Sequence, residues 1–183
     1  SAMAVVQFDK DGTEYQRKYF ISYPDSVMVM KFTANKKGKQ NLVLSYCPNS
    51  EAESYLSADG NNGLVYTGVL DNNKMKFAFR IKALHKGGIL KTENDRIIVK
   101  DADEVVFLLT ADTDYKMNSN PDFNDPQTYV GKDPEQTTLA MMNNALEKGY
   151  DELLRNHKTD YTALFNRVQL QINPEAGTPD LPT

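Results

Sequence analysis

The chain has 183 residues, which is enough for one sizeable core and too short for two ordinary domains with a linker. Its 21 basic and 25 acidic side chains give a net charge of −4, spread along the sequence. This balance excludes the basic field of a nucleic-acid-binding protein and the polybasic patch of a membrane-binding protein. A neutral, hydroxyl-rich ligand such as a sugar, or a protein partner, fits the charge better.

The first two-thirds of the chain has the pattern of short β-strands. Runs rich in aromatic and β-branched residues alternate with turn residues about every ten positions. No helical pattern separates these runs, so parallel βαβ units are disfavoured and an antiparallel β-sandwich over residues 1–112 is predicted. The expected strands are Tyr15–Tyr23, Val27–Ala34, Asn41–Cys47, Leu64–Leu70, Met75–Leu84, Ile89–Thr92, Arg96–Lys100 and Glu104–Ala111.

Three features of these strands allow sharper predictions. Met75–Leu84 alternates apolar and basic residues, which predicts one buried and one solvated face. Glu104–Ala111 is almost continuously apolar, which predicts a strand buried on both faces. Cys47 is the single cysteine, and its place in a strand-like run predicts a small buried side chain.

The last third of the chain changes character. Residues 113–133 form a long polar loop, and residues 134–183 are a helical linker region with a C-terminal strand and a tail. Asp133-Pro134 marks a helix start, and a stripe of apolar residues continues to Leu154. A second helix is expected over Asp160–Arg167, with His157 between the two helices, and a final strand over Val168–Ile172. The fold class is therefore mainly β: a partial antiparallel supersandwich followed by two linker helices and a short strand.

Catalytic residues are not evident in this sequence. Glycoside hydrolysis needs two carboxyl groups of different pKa, and no acidic pair here stands in a context that would separate two pKa values. Cys47, His85 and His157 lie apart in sequence, which gives no support to a nucleophile–base pair or a metal site, and no cofactor is expected. The acidic groups considered are Asp101 with Asp103 and Glu104, Asp112 with Asp114, and Glu51 with Glu53.

The long loop carries the candidate binding residues. Six oxygen-donor side chains between Asp112 and Asp125 could suit Ca²⁺, but the glycine and the terminal glutamate of an EF-hand loop are missing, so we favour an ordinary exposed loop. Three aromatic residues, Tyr115, Phe123 and Tyr129, either contact carbohydrate or anchor the loop to the core. We favour anchoring.

Three stretches of the chain resemble the N-terminal domain of glycoside hydrolase family 95, the inverting α-L-fucosidases. Tyr15–Val27 (YQRKYFISYPDSV) is similar to the family's Y-x-R-E-Y-F-x-S-x-P-D-x-V run, with Lys18 in place of an acid. His157–Val168 (HKTDYTALFNRV) is similar to the H-x-x-D-Y-x-x-L-F-x-R-V signature. The loop and helix start over Thr113–Glu135 is the third stretch.

The resemblance implies a non-catalytic domain. In such enzymes an (α/α)₆ barrel follows this region and holds the catalytic residues, so fucosylated glycans would be bound through the parent protein, which would be periplasmic or secreted. The matching residues Asp160, Tyr161, Phe165 and Arg167 would pack the linker. Ser1-Ala2-Met3 is typical of a cloning remnant, and loss of upstream strands would expose sheet edges and cause self-association. The alternative is a stand-alone carbohydrate-binding β-sandwich module.

Overall fold

The computed structural model describes residues 2–47 and 52–168. Within these ranges the chain forms ten β-strands followed by one helical segment. Among the described residues, no helix combines the length and the apolar character needed to cross a membrane. The elements are β1 Ala4–Lys10, β2 Thr13–Ser22, β3 Val27–Ala34, β4 Gln40–Ser45, β5 Ala52–Ala58, β6 Gly63–Leu70, β7 Lys76–Lys86, β8 Ile89–Glu93, β9 Arg96–Ala102, β10 Glu104–Thr113 and α1 Pro134–Phe165.

The strands form two antiparallel sheets, which confirms the predicted sandwich. The large sheet has seven strands in the order β1-β2-β3-β10-β7-β6-β5, and the small sheet has the order β4-β9-β8. β10 is the central strand of the large sheet, where it pairs with β3 on one side and β7 on the other. The strand with the longest apolar run therefore occupies the position that offers the most burial.

The core has two layers, one on each face of the large sheet. Val105 and Phe107 of β10 point to the small sheet and pack with buried residues of β6, β7 and β9. Val106 and Leu108 point the other way and pack with buried residues of α1. The prediction that this strand is buried on both faces is confirmed.

The sequence prediction missed two strands, β1 and β5. They are the two edges of the large sheet, and most of their residues are exposed. Edge strands need few apolar residues, so Glu- and Ser-rich β5 gave only a weak signal. The prediction for Cys47 was wrong, because β4 ends at Ser45 and the thiol beyond it is exposed.

The middle of the basic face of β7 is buried, although we expected the whole face to be solvated, and its two ends at Lys76 and Lys86 are exposed. Arg80 lies on the side of the sheet that α1 covers, and its side chain is almost completely enclosed. Its Nη1 lies 2.6 Å from Oδ2 of Asp59, and Nζ of Lys82 lies 3.1 Å from the same oxygen. The alternation of apolar and basic residues correctly predicted that β7 has two different faces. It could not show that α1 covers the basic face.

The helical segment begins as predicted and breaks earlier than predicted. Oδ1 of Asp133 accepts a hydrogen bond from the Glu135 backbone amide at 3.0 Å, so Asp133 is the N-cap. The backbone leaves helical geometry at Gly149, with φ 70° and ψ 174°. No break occurs between Leu154 and Asp160, so His157 lies inside a helix instead of between two. The expected strand over Val168–Ile172 lies outside the described residues except for Val168.

Replacing Gly149 with alanine is expected to lower the free energy of unfolding by about 1–3 kcal/mol. The added Cβ has open space around it, so the cost comes from the backbone conformation alone, which side chains rarely adopt. Denaturant unfolding measures the change. Asn143→Ala, at an exposed position of α1, is the control and should not destabilise the protein. Equal stability of the Gly149→Ala variant and the unsubstituted chain would show that this break is not retained in solution.

Candidate functional site

A buried polar cluster joins the β2–β3 turn to α1. Asp25 accepts hydrogen bonds from Ser22 Oγ at 2.5 Å, from Lys148 Nζ at 2.7 Å and from Asn156 Nδ2 at 3.1 Å. Lys148 and Asn156 lie on opposite sides of the break at Gly149. One carboxylate therefore holds both halves of the helical segment on the sheet.

The Asp25 carboxyl is an ion-pair partner and not a proton carrier. Burial opposes its ionisation, but the hydrogen bonds from Lys148, Ser22 and Asn156 outweigh burial and hold its pKa below the usual range. The hydrogen bond to Asp25 raises the pKa of Lys148 in turn. Both groups are charged at neutral pH, so the cluster stabilises the fold and supplies no general acid.

An aromatic row runs from the core to the end of α1. The ring of buried Phe20 stacks on His157 with centroids 5.1 Å apart, His157 on Tyr161 at 6.4 Å, and Tyr161 on Phe165 at 5.3 Å. Nε2 of His157 is 2.8 Å from the Ala2 carbonyl oxygen. Phe165 is 63% exposed in the described part of the chain, so it packs on Tyr161 of the linker helix with one side of its ring only.

Several of the candidate carboxylates have a structural partner. Glu104 lies 2.7 Å from Lys31 and 3.0 Å from Lys86, and these partners hold its pKa low although burial alone would raise it. Oδ1 of Asp103 accepts a hydrogen bond from the Gly38 amide at 2.7 Å, and Oδ1 of Asp114 accepts one from the Lys76 amide at 3.0 Å. Glu51 lies outside the described residues. Glu104, Asp103 and Asp114 therefore each serve a structural contact.

Asp59 forms a cluster that the sequence did not indicate. Burial opposes its ionisation, but hydrogen bonds from Arg80 and Lys82 outweigh this and hold its pKa low. The three residues come from the end of β5 and from β7, so their proximity depends on strand pairing through β6. The cluster is a partly buried ion pair, and such pairs commonly serve structure.

The long loop is closed at its root by backbone contacts. Tyr115 and Val130 form an isolated antiparallel bridge, the Lys116 amide donates to the Tyr129 carbonyl at 2.7 Å, and the Gly131 amide donates to the Asp114 carbonyl at 2.6 Å. The loop therefore leaves the end of β10 and returns to it before α1 begins. Its position next to the helix start is fixed.

Two acidic side chains of the loop, Asp122 and Asp125, bond to the loop's own backbone. Oδ1 of Asp122 accepts from the Asn124 amide at 2.9 Å, and Oδ1 of Asp125 accepts from the Gln127 amide at 2.8 Å. These are Asx-type turns. Among the described residues, no three His, Cys, Asp or Glu side chains are placed to hold a metal ion. The loop thus offers no argument for calcium.

Two of the three aromatic residues of the loop, Tyr115 and Phe123, are too exposed to anchor it to the core as we favoured. Tyr115 is 52% exposed and Phe123 is 84% exposed, while Tyr129 is half-buried. The Tyr115 and Tyr129 rings stack with centroids 6.0 Å apart. Tyr115 forms one wall of a cleft of about 540 Å³, which Lys116, Lys132 and Thr137 also line. Of the three aromatic residues, Tyr115 lines this cleft, and Phe123 and Tyr129 do not.

The described architecture is a β-sandwich of two packed antiparallel sheets, with a helix on the outer face of the large sheet. Residues 1–118 match the family described as "Glycosyl hydrolase family 65, N-terminal domain". The chain belongs to this family, and it is the N-terminal domain of a glycoside hydrolase.

Similar proteins agree with this assignment. The chain is 28% identical to "Probable alpha-fucosidase A" of Aspergillus niger, covering 100% of this chain and 24% of that protein. It is 23% identical to "Alpha-L-fucosidase 2" of Arabidopsis thaliana, covering 94% of this chain and 22% of that protein. These matches confirm the resemblance to α-L-fucosidase-type enzymes, and the chain spans about a quarter of the length of these relatives.

A solved structure shares the fold. "Putative kojibiose phosphorylase from human microbiome" superposes with a TM-score of 0.55 over 89% of this chain and 23% of that chain, at 8% sequence identity. At this identity the likeness concerns the fold alone. The shared fold is one part of that longer chain.

Proposed function

We propose that this chain is the non-catalytic domain of an α-L-fucosidase-type glycoside hydrolase and that it supports an (α/α)₆ catalytic domain through the C-terminal end of α1. The aromatic row that leaves the core at Phe20 and ends at exposed Phe165 carries the proposal. Hydrolysis, and the recognition of fucosylated glycans as substrate, would then take place in the partner domain.

The end of α1 has the character of a docking surface. Leu164, Phe165 and Val168 are exposed apolar side chains within five positions of one another. Exposed apolar clusters of this kind mark interaction sites, and interfaces between domains of one chain are built from them. The surface is rigidly connected to the sheet, because His157 and Tyr161 continue the same ring stack into the core. A domain held here would have a fixed orientation relative to the sandwich.

Phe165→Ser is expected to weaken capture of the catalytic segment by at least tenfold, because it removes the most exposed ring of the row. The experiment is co-expression of this chain with the segment encoded downstream in its natural gene, followed by pull-down and affinity measurement. Val43→Ser, on the small sheet, is the matched control, since Val43 is 62% exposed and Phe165 is 63% exposed. Equal loss in both variants, or capture unaffected by either, contradicts the proposal.

The same preparations test the expected self-association of the isolated chain. Edge strands β1 and β5 of the large sheet have no further strand beside them in the described residues. Unpaired edges and the apolar end of α1 favour association with a second copy. Light scattering after size exclusion should give a mass above that of one chain. A single-chain mass at all concentrations contradicts this expectation.

A second function, glycan contact through Tyr115, is favoured by the cleft at the loop root. The ring is more than half exposed, it is held by its stack on Tyr129, and ammonium and hydroxyl groups of Lys116, Lys132 and Thr137 surround it. A fixed aromatic face with polar groups around it is the usual composition of a sugar-binding site. Phe123 is at the exposed tip of the same loop. This function is compatible with the first, because the loop and the end of α1 are separate surfaces.

A further inference from the structure

The start of α1 divides one face of the large sheet into two clefts. Tyr55, Thr67, Ala78 and Asp112 are aligned in one row across β5, β6, β7 and β10. The row lies on the side of α1, because Oδ2 of Asp112 accepts a hydrogen bond from Thr137 Oγ1 at 2.6 Å. At about 4.8 Å per strand, the Cα atoms of Tyr55 and Asp112 are roughly 14 Å apart.

Each cleft has an exposed tyrosine, and the two clefts lie at the same helix start. The cleft on the β10 side, of about 540 Å³, contains Tyr115 and Lys132. The cleft on the β5 side, of about 320 Å³, contains Tyr55, Asp133 and Pro134. Lys132 of one cleft and Asp133 of the other are consecutive, so the two clefts meet the chain at adjacent positions of the helix start. A ligand longer than one ring can reach from one cleft into the other.

The Tyr55 ring is exposed and yet held in place. Its side chain is 65% exposed, and Oη donates a hydrogen bond to Glu53 Oε1 at 2.7 Å. That hydrogen bond raises the pKa of Tyr55, so the phenol stays protonated. An exposed ring that is already oriented loses little conformational freedom when a ligand stacks on it. Tyr115 has the same two properties through its stack on Tyr129.

We propose that the Tyr55 cleft is a second glycan-contact site, which together with the Tyr115 cleft binds a neutral oligosaccharide across the start of α1. The inference extends the glycan contact of Tyr115 and rests on it. Tyr55 supplies the ring face, and carboxylates beside it accept hydrogen bonds from sugar hydroxyl groups.

The charges in the cleft decide the class of ligand. Three carboxylates, those of Glu53, Asp133 and Glu135, line it against the single ammonium group of Lys76. This excess of negative charge repels the uronate, sialyl and sulfated units of a glycan from the Tyr55 cleft and accepts neutral units there. A protein partner is disfavoured, because the centres of protein interfaces are depleted in charged side chains. Neutral hydroxyl-rich ligands therefore fit the cleft best.

Titration calorimetry of the whole chain with a neutral fucosylated tetrasaccharide tests the inference. Tyr55→Ala and Tyr115→Ala are each expected to weaken binding about tenfold, while Tyr55→Phe retains most of the affinity because the ring remains. Ile89→Ala is the control, since Ile89 is 66% exposed on the small sheet and should have no effect. A sialylated analogue is expected to bind more weakly than the neutral one.

The outcomes separate the two sites. Loss of affinity in Tyr115→Ala with none in Tyr55→Ala overturns the Tyr55 site and leaves the Tyr115 contact standing. Absence of heat with every glycan, for a chain whose circular dichroism shows folded β-structure, overturns both. Equal or tighter binding of the sialylated analogue overturns the assignment of a neutral ligand.

Discussion

Replacing Asp25 with alanine is expected to lower the free energy of unfolding by about 2–3 kcal/mol at neutral pH. The carboxylate is buried, and its removal leaves the Ser22 hydroxyl without its acceptor in a fully enclosed position. Asn156 loses its acceptor as well. The loss of the carboxylate as a partner of Lys148 contributes less to this destabilisation. About a third of the Lys148 side chain is exposed, so water can replace the carboxylate there. Urea unfolding of both proteins measures the difference.

Acid should remove the contribution of Asp25 in a predictable direction. Its pKa in the folded chain lies below its ordinary value, so the folded state binds this proton less readily than the unfolded state. The stabilisation is fully present above the unfolded-state pKa of about 4 and is lost as the pH falls through the folded-state value. In Asp25→Asn, which keeps the shape and removes the titration, stability should fall less steeply between pH 5 and pH 3. Parallel pH profiles for the two proteins would contradict this account.

A double-mutant cycle separates the ion pair from the rest of the cluster. Lys148→Met removes one partner and leaves the buried carboxylate with Ser22 and Asn156. Lys148→Met and Asp25→Ala break the same contact. The double variant should therefore lose less free energy of unfolding than the sum of the losses in the two single variants. Strict additivity would mean that the 2.7 Å contact between Lys148 and Asp25 contributes no coupling.

The fold could be predicted from sequence wherever the residues of a single segment had a pattern typical of one kind of secondary structure. β10 had an unbroken apolar run, and α1 had Asp133-Pro134 at its start, and both are where the sequence placed them. The break at Gly149 was missed, because a glycine inside a helical pattern is often tolerated and only its φ of 70° shows the change. Residues after Leu154 carried no breaker, so the helix continues there.

The clusters could not be predicted, because their members are far apart in the chain. Asp25 and Asn156 are 131 positions apart, and they meet only after α1 has packed on the large sheet. Arg80 looked like a solvated residue, because its partner Asp59 comes from the end of another strand. The loop aromatics were identified as candidates from composition, but only their exposure separated anchoring from ligand contact.

Leu153→Ala is expected to destabilise the chain by about 3 kcal/mol. Leu153 is completely buried among Phe20, Val29 and Leu108, where the second half of α1 meets the sheet. Truncation removes apolar contact and leaves a cavity that the sheet cannot fill. Guanidinium unfolding gives the difference. Leu139→Ala is the control, since Leu139 is partly exposed on the first half of α1 and should cost about 1 kcal/mol or less.

The comparison of the two leucines decides how firmly the docking surface is held. Gly149 interrupts the helix between them, so the second half of α1 depends on its own contacts with the sheet. Since Phe165 lies on that half, Leu153→Ala should also weaken capture of the catalytic segment, although Leu153 is buried and does not reach the surface. Leu139→Ala should leave capture unchanged. If both substitutions cost the same free energy, the second half of α1 is not seated on the sheet, and Phe165 cannot hold a partner domain in a fixed orientation.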